Sequence, residues 1–150
     1  MCIRDSYTTR QAFKRNFDYN QFWRKATQNR EVVKAFAYAI DKGDSKQREF
    51  QNILRAIGFQ VKLKPFIQRT DGSAKGDWDV GIAVDALEYC RQADVVVLVS
   101  GDGDFDILVN KIREGYAKKV EVYGVESLTS NTLINAASEY IPIKEDLLLG

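Results

Sequence analysis

Three aspartates at alternate positions, Asp102, Asp104 and Asp106, stand where the apolar run Val95–Val99 breaks into SGDGDFD. Like charges held so close repel one another and resist ionisation unless a cation neutralises them. Gly101 and Gly103 flank Asp102, which suits a tight turn where backbone must approach another group. A second acidic group lies upstream in KGDWDVGIAVDALEY, with Asp77 and Asp79 at the expected start of a helix and Asp85 further along it. Helix capping accounts for either group taken singly, because carboxylates favour a helix N-terminus. Two acidic groups at similar loop ends point instead to a shared cation.

Exclusion narrows the chemistry. The chain has no histidine and only two cysteines, Cys2 and Cys90, which removes Ser-His-Asp and Cys-His catalysis, zinc sites of the usual kind and a disulfide scaffold. Carboxylate oxygens alone select hard cations, Mg²⁺ or Mn²⁺. Such a site suits phosphodiester chemistry. A calcium loop does not fit: the sixth position from Asp102 is Ile107 instead of glycine, and the twelfth is Arg113, a cation where a ligand belongs.

The elements that must position these residues follow from the pattern of apolar residues. Strands are expected within 31–40, over FQVKLKPF, over 94–100 and over 119–123; helices over 44–57, 78–92, 105–115 and 131–140, with two short helices in 9–28. On the 78–92 helix, Val80, Ala83, Leu87 and Cys90 share one face, and Asp85 projects roughly opposite, towards solvent or a partner. Strands alternating with helices predict an α/β layered fold with a mostly parallel sheet. In such sheets ligands bind outside the carboxyl ends of the strands, where SGDGDF lies.

The net charge of +1 hides an asymmetry: residues 1–70 carry 15 Lys+Arg against 6 Asp+Glu, leaving 7 and 15 of the totals of 22 and 21 for residues 71–150. A basic half beside an acidic one fits either a phosphate-binding surface or mutual attraction within one fold. In segment 10–30, the cations Lys14, Arg15, Arg24 and Lys25 interleave with Phe17, Phe22 and Trp23, a pattern that suits single-stranded RNA or, alternatively, core packing. No apolar run reaches the length of a membrane span and no secretory segment is present. A cytoplasmic location is expected, with no membrane partner; a homo-oligomer is compatible with the sequence.

KGDWDVGIAVDAL followed by VVVLVSGDGDFDILV resembles the NYN domain, the LabA-like branch of the PIN-like nucleases, from Tyr7 to Leu149. The resemblance implies a three-layer PIN-like fold with sheet order 3-2-1-4-5 and an acidic pocket at the strand ends. It further implies a Mg²⁺- or Mn²⁺-dependent ribonuclease, with Asp79, Asp102 and Asp104 as catalytic and metal-binding residues. Lys75, Ser100 and Asp85 also fall on motif positions: Lys75 and Ser100 as substrate-binding residues, and Asp85 in a supporting place behind the pocket. A non-catalytic RNA-binding module on the same fold is the alternative, and phosphatase chemistry a weaker third.

The start departs from the family. Family members open with an apolar strand ending in D-x-x-N, whereas this chain opens MCIRDS. Residues 1–6 are therefore expected to be a truncated or non-native start before a single domain, 7–150, with the central first strand missing or replaced and its ladder exposed. Ser138 stands where relatives often carry Asp, which would thin the pocket there.

Overall fold

A computed structural model describes residues 1–4, 16–41, 43, 45–65, 67–68, 74–75 and 78–149. Its centre is one six-stranded parallel sheet: β1 (Cys2–Arg4), β2 (Phe36–Asp41), β3 (Gln60–Pro65), β6 (Val95–Val99), β7 (Lys119–Gly124) and β8 (Glu139–Pro142). The order is β3-β2-β1-β6-β7-β8, so the main-sheet strands run 3-2-1-4-5 with a sixth at the edge. A separate antiparallel pair joins β4 (Ile67–Gln68) to β5 (Ala74–Lys75).

The first strand is present. Cys2–Arg4 fills the central place, Ile3 pairing with Ala37 on one side and Val99 on the other. Three residues of backbone satisfy both neighbours, so the expected exposed ladder is not found at those positions. The backbone-pairing requirement is met by any extended segment, whatever its side chains.

Helices cover both faces, as a parallel sheet requires. On one face lie α3 (Asp79–Tyr89), α4 (Asp106–Asn110) and α5 (Asn131–Ala136), whose Ile82, Ala86, Leu108, Val109 and Leu133 meet Phe36, Val96, Leu98, Val120 and Val122. On the other lie α1 (Tyr19–Thr27) and α2 (Ser45–Ile57), packing Phe22, Ala26 and Leu54 with the C-terminal Ile143, Leu147 and Leu148 on Ala37, Val97, Val99 and Tyr123. Successive β6 residues thus alternate between the two cores, which explains the unbroken valine run.

Two expected elements differ. The 131–140 helix stops at Ala136 and β8 starts at Glu139; pairing with β7, and the Tyr140 hydroxyl donating to the Gly124 carbonyl, draw this segment into the sheet. The buried face of α3 is also rotated: Val80 is 77% exposed, while Ile82, Asp85, Ala86 and Cys90 are buried. An almost wholly apolar helix offers no single face by periodicity, so its partners choose.

Candidate metal centre

The β6 strand delivers its chain to the carboxyl edge of the sheet, and SGDGDF turns there. Ser100 leaves the sheet with its N–H on the Tyr123 carbonyl, and its hydroxyl accepts the Asp102 N–H at 3.2 Å. The Asp102 side chain accepts the Asp104 N–H at 3.0 Å, closing a single 3-10 turn over Gly103–Phe105. Capping and clustering are therefore not alternatives, because a carboxylate has acceptor sites to spare.

Both glycines are required by contact. A Cβ on Gly101 would lie 2.7 Å from the Leu128 carbonyl oxygen, and one on Gly103 would lie 2.7 Å from Ser130 Oγ. The Ser130 N–H donates to the Gly101 carbonyl, and the Ser130 and Thr132 hydroxyls lie 2.8 Å apart at this rim. Those two hydroxyls went unread in the sequence; the only signal was an S-N-T run opening a helix after a strand.

Asp79, in the first turn of α3, completes the arrangement. One carboxylate oxygen from each of Asp79, Asp102 and Asp104 lies within 4.8 Å of the others; the first two side chains are half-buried and Asp104 is exposed. Asp106 is not in this group and opens α4 instead. Three hard oxygen donors, with no histidine or cysteine beside them, fit a Mg²⁺ or Mn²⁺ ion that keeps several waters.

Lys14, Arg15 and Asp77 lie outside the described residues. Lys75 ends β5. Arg24 and Lys25 occupy the last turn of α1, next to Ala26 and Thr27, which line a cavity at the amino edge of the sheet; the structure does not bring them to the acidic group. Lys25 instead pairs with Asp146. The aromatics among these cations are core residues: Phe17 and Phe22 are buried, and Trp23 packs edge-on to Phe59. Phe17 and Phe22 offer no faces for bases.

Asp85 is a correction of a different kind. It is only 8% exposed, not solvated, because the Lys62 ammonium at 2.7 Å and the Tyr38 hydroxyl at 2.9 Å both donate to its Oδ2. Burial, with Cys2 and Asp85 nearby, pushes the Tyr38 phenol well above its ordinary range. Ser138 is likewise away from the edge: its hydroxyl accepts the Val120 N–H at 2.9 Å, near the start of β7, so it leaves the acidic group unaltered.

Part of the charge asymmetry is answered by internal pairing. Arg30–Glu121, Lys62–Asp85 and Lys25–Asp146 each join a cation of the basic half to a carboxylate of the acidic half. The cavity at the amino edge, about 420 Å³ and lined by Met1, Arg30, Phe36, Asp85, Tyr89 and Val95, is at the opposite end of the strands from the aspartate cluster. The cluster carries the functional argument because its residue types specify a ligand class.

Comparison with known proteins agrees with this geometry. The NYN domain model matches residues 3–144. The chain is 29% identical over 121 residues to the low amplitude and bright protein LabA of Synechococcus elongatus (strain ATCC 33912 / PCC 7942 / FACHB-805), covering 77% of this chain and 64% of that protein. The chain therefore spans less than two thirds of that relative. Among solved structures, a protein of unknown function from Vibrio parahaemolyticus RIMD 2210633, VPA0982, is 58% identical with a TM-score of 0.93, covering 99% of this chain and 94% of that one. Ribokinase from Giardia lamblia, 13% identical with a TM-score of 0.51 over 85% of this chain and 47% of that one, shares the fold alone. Among the described residues, no helix is long and apolar enough to cross a membrane.

Proposed function

The chain belongs to the NYN domain family, and from that premise we propose that it is a divalent-metal-dependent ribonuclease acting on single-stranded RNA. The observation that carries this reading is the meeting of Asp79, from α3, with Asp102 and Asp104, from the β6 loop, within 4.8 Å. Three carboxylates brought together at one strand edge from two segments are favoured by a divalent cation between them. RNA as the substrate rests on the family resemblance.

Asp79, Asp102 and Asp104 would hold the ion. When bound, Mg²⁺ or Mn²⁺ supplies Lewis acidity to a phosphoryl oxygen and makes an attacking water more acidic. The chain's own part is placement. The Asp104 N–H fixes the Asp102 carboxylate, and the glycine contacts hold the loop against Leu128–Ser130. The Ser130 and Thr132 hydroxyls at the rim offer hydrogen bonds to a phosphate oxygen. Lys75, four residues before Asp79, is the cation assigned to steer the backbone phosphate.

The second reading is a non-catalytic RNA-binding module. It stands because a fold does not by itself fix an activity. Cleavage of a mixed-sequence single-stranded RNA in Mn²⁺, Mg²⁺ or EDTA separates the two. Metal-dependent cutting that disappears in Asp102→Asn is the expected result. A folded protein that binds RNA and never cuts it, in any metal, gives the site to the binding module.

A further inference from the structure

Trp78 immediately precedes Asp79 and stands at the start of α3, where its side chain makes no cap to the helix. Its indole does something else. The ring N–H donates to the Ala39 carbonyl at 2.8 Å, near the carboxyl end of β2. The ring lies 5.2 Å from that of Tyr38, and the Lys64 ammonium of β3 sits 4.5 Å from the indole centroid. Below it, α3 carries Gly81, where a Cβ would lie 2.6 Å from Trp78 Cε3. A rigid indole cannot yield to such a contact, so glycine at this position is what lets the ring lie flat on its own helix.

We infer that Trp78 is a positioning residue of the acidic cluster: its indole, seated on Gly81 and bonded to Ala39, fixes the start of α3 against β2 and so sets where the Asp79 carboxylate stands. The inference rests on the metal-dependent reading above. Asp102 and Asp104 are placed by the β6 loop, whereas Asp79 arrives on a separate helix whose N-cap residue, Trp78, makes no side-chain cap. Whatever registers that helix against the sheet registers the third carboxylate against the other two. Small displacements of a ligand matter, because a metal site tolerates only a few tenths of an ångström in its distances. A stacking platform for an RNA base is the competing use of an aromatic beside such a cluster. Here Gly81, Tyr38 and Lys64 already contact the ring, so a base would have to displace one of them.

The test is Mn²⁺ affinity, read by electron paramagnetic resonance of the free ion, on the full chain and four variants. Trp78→Phe keeps an aromatic ring and removes the N–H donor; Gly81→Ala keeps the indole and drives a methyl group into it. Trp23→Phe serves as the control, since Trp23 rests on Gly58 in the same manner, 2.7 Å from a Cβ there, but in the opposite core. Asp102→Asn reports the site itself. Expected is a loss of roughly tenfold or more in Mn²⁺ affinity for Trp78→Phe and for Gly81→Ala, with Trp23→Phe at the wild-type value and melting temperatures of the two tryptophan variants lowered to a similar degree. Wild-type Mn²⁺ affinity in either Trp78→Phe or Gly81→Ala, beside a loss in Asp102→Asn, overturns the positioning role and leaves the metal reading standing. An equal loss in Trp23→Phe overturns it as well, since the effect is then general destabilisation. No Mn²⁺ uptake by the unaltered chain overturns both readings together.

Discussion

One helix carries two aspartates in opposite electrostatic situations. Asp79 and Asp85 lie six residues apart on α3, about 9 Å along its axis. Asp85 is buried and answered from within, by the Lys62 ammonium and the Tyr38 hydroxyl. Asp79 is half-buried and faces Asp102 and Asp104, carboxylates of its own sign. The same residue type is structural in one place and a ligand candidate in the other, and the difference is which groups the fold brings beside it.

The sharpest break of that contrast is Asp102→Asn. Asparagine keeps an acceptor for the Asp104 N–H but removes a charged ligand, so RNA cleavage is expected to fall by about 10³-fold, equivalent to about 4 kcal/mol of transition-state stabilisation; rates in saturating Mn²⁺ measure this directly. At the other site, Lys62→Met strands a buried carboxylate and is expected to lower stability by about 3 kcal/mol in urea denaturation. Adding Asp85→Leu to it should recover most of that loss, since no buried charge is then left unpaired. A double variant that recovers little of the loss would mean that Lys62 acts through packing over Phe36 instead.

The contrast also predicts what an external cation does. Mn²⁺ at ten times its dissociation constant should raise stability by about 1.4 kcal/mol in the unaltered chain, and in Lys62→Met as well, but not in Asp102→Asn; calorimetric melts with and without the ion compare them. The smallest expected effect concerns the third internally answered carboxylate. Hydrogen bonds from Arg30 hold Glu121 below its ordinary value of 4.5. A depressed folded value means the pair stabilises above the unfolded value and that its contribution is lost as pH falls through the folded one. Glu121→Gln should therefore be less stable than the unaltered chain by about 1 kcal/mol near neutrality, with the gap closing below about pH 4.5.

Much of this was legible in the residues. The alternation of β-branched runs with helical spacing gave the parallel layered sheet, because only a strand buried on both faces can be as apolar as Val95–Val99. Glycines beside Asp102 marked a loop pressed against other backbone, and Gly101 against Leu128 is that contact. The rotation of α3 was not legible. Its face is chosen by Lys62 and Tyr38, which lie 23 and 47 residues away from Asp85, and no local period encodes partners at that distance. The same limit applies to Lys25: its spacing among cations and rings suggested a nucleic-acid surface, while its ammonium answers Asp146 across 121 residues.

What the sequence determined by itself is chemical inventory and local geometry: no histidine, hard oxygen donors, a turn that needs glycine, strands too apolar to face water. Side-chain type and short-range spacing are fixed along the chain, so these conclusions hold before folding. What only the tertiary structure decided is which charges meet. Carboxylates from 79, 102 and 104 converge because two strand ends and a helix start share one edge of the sheet, while Asp85, on the same helix, is turned onto a lysine. Coulomb energies depend on distance and burial, and both are set by packing.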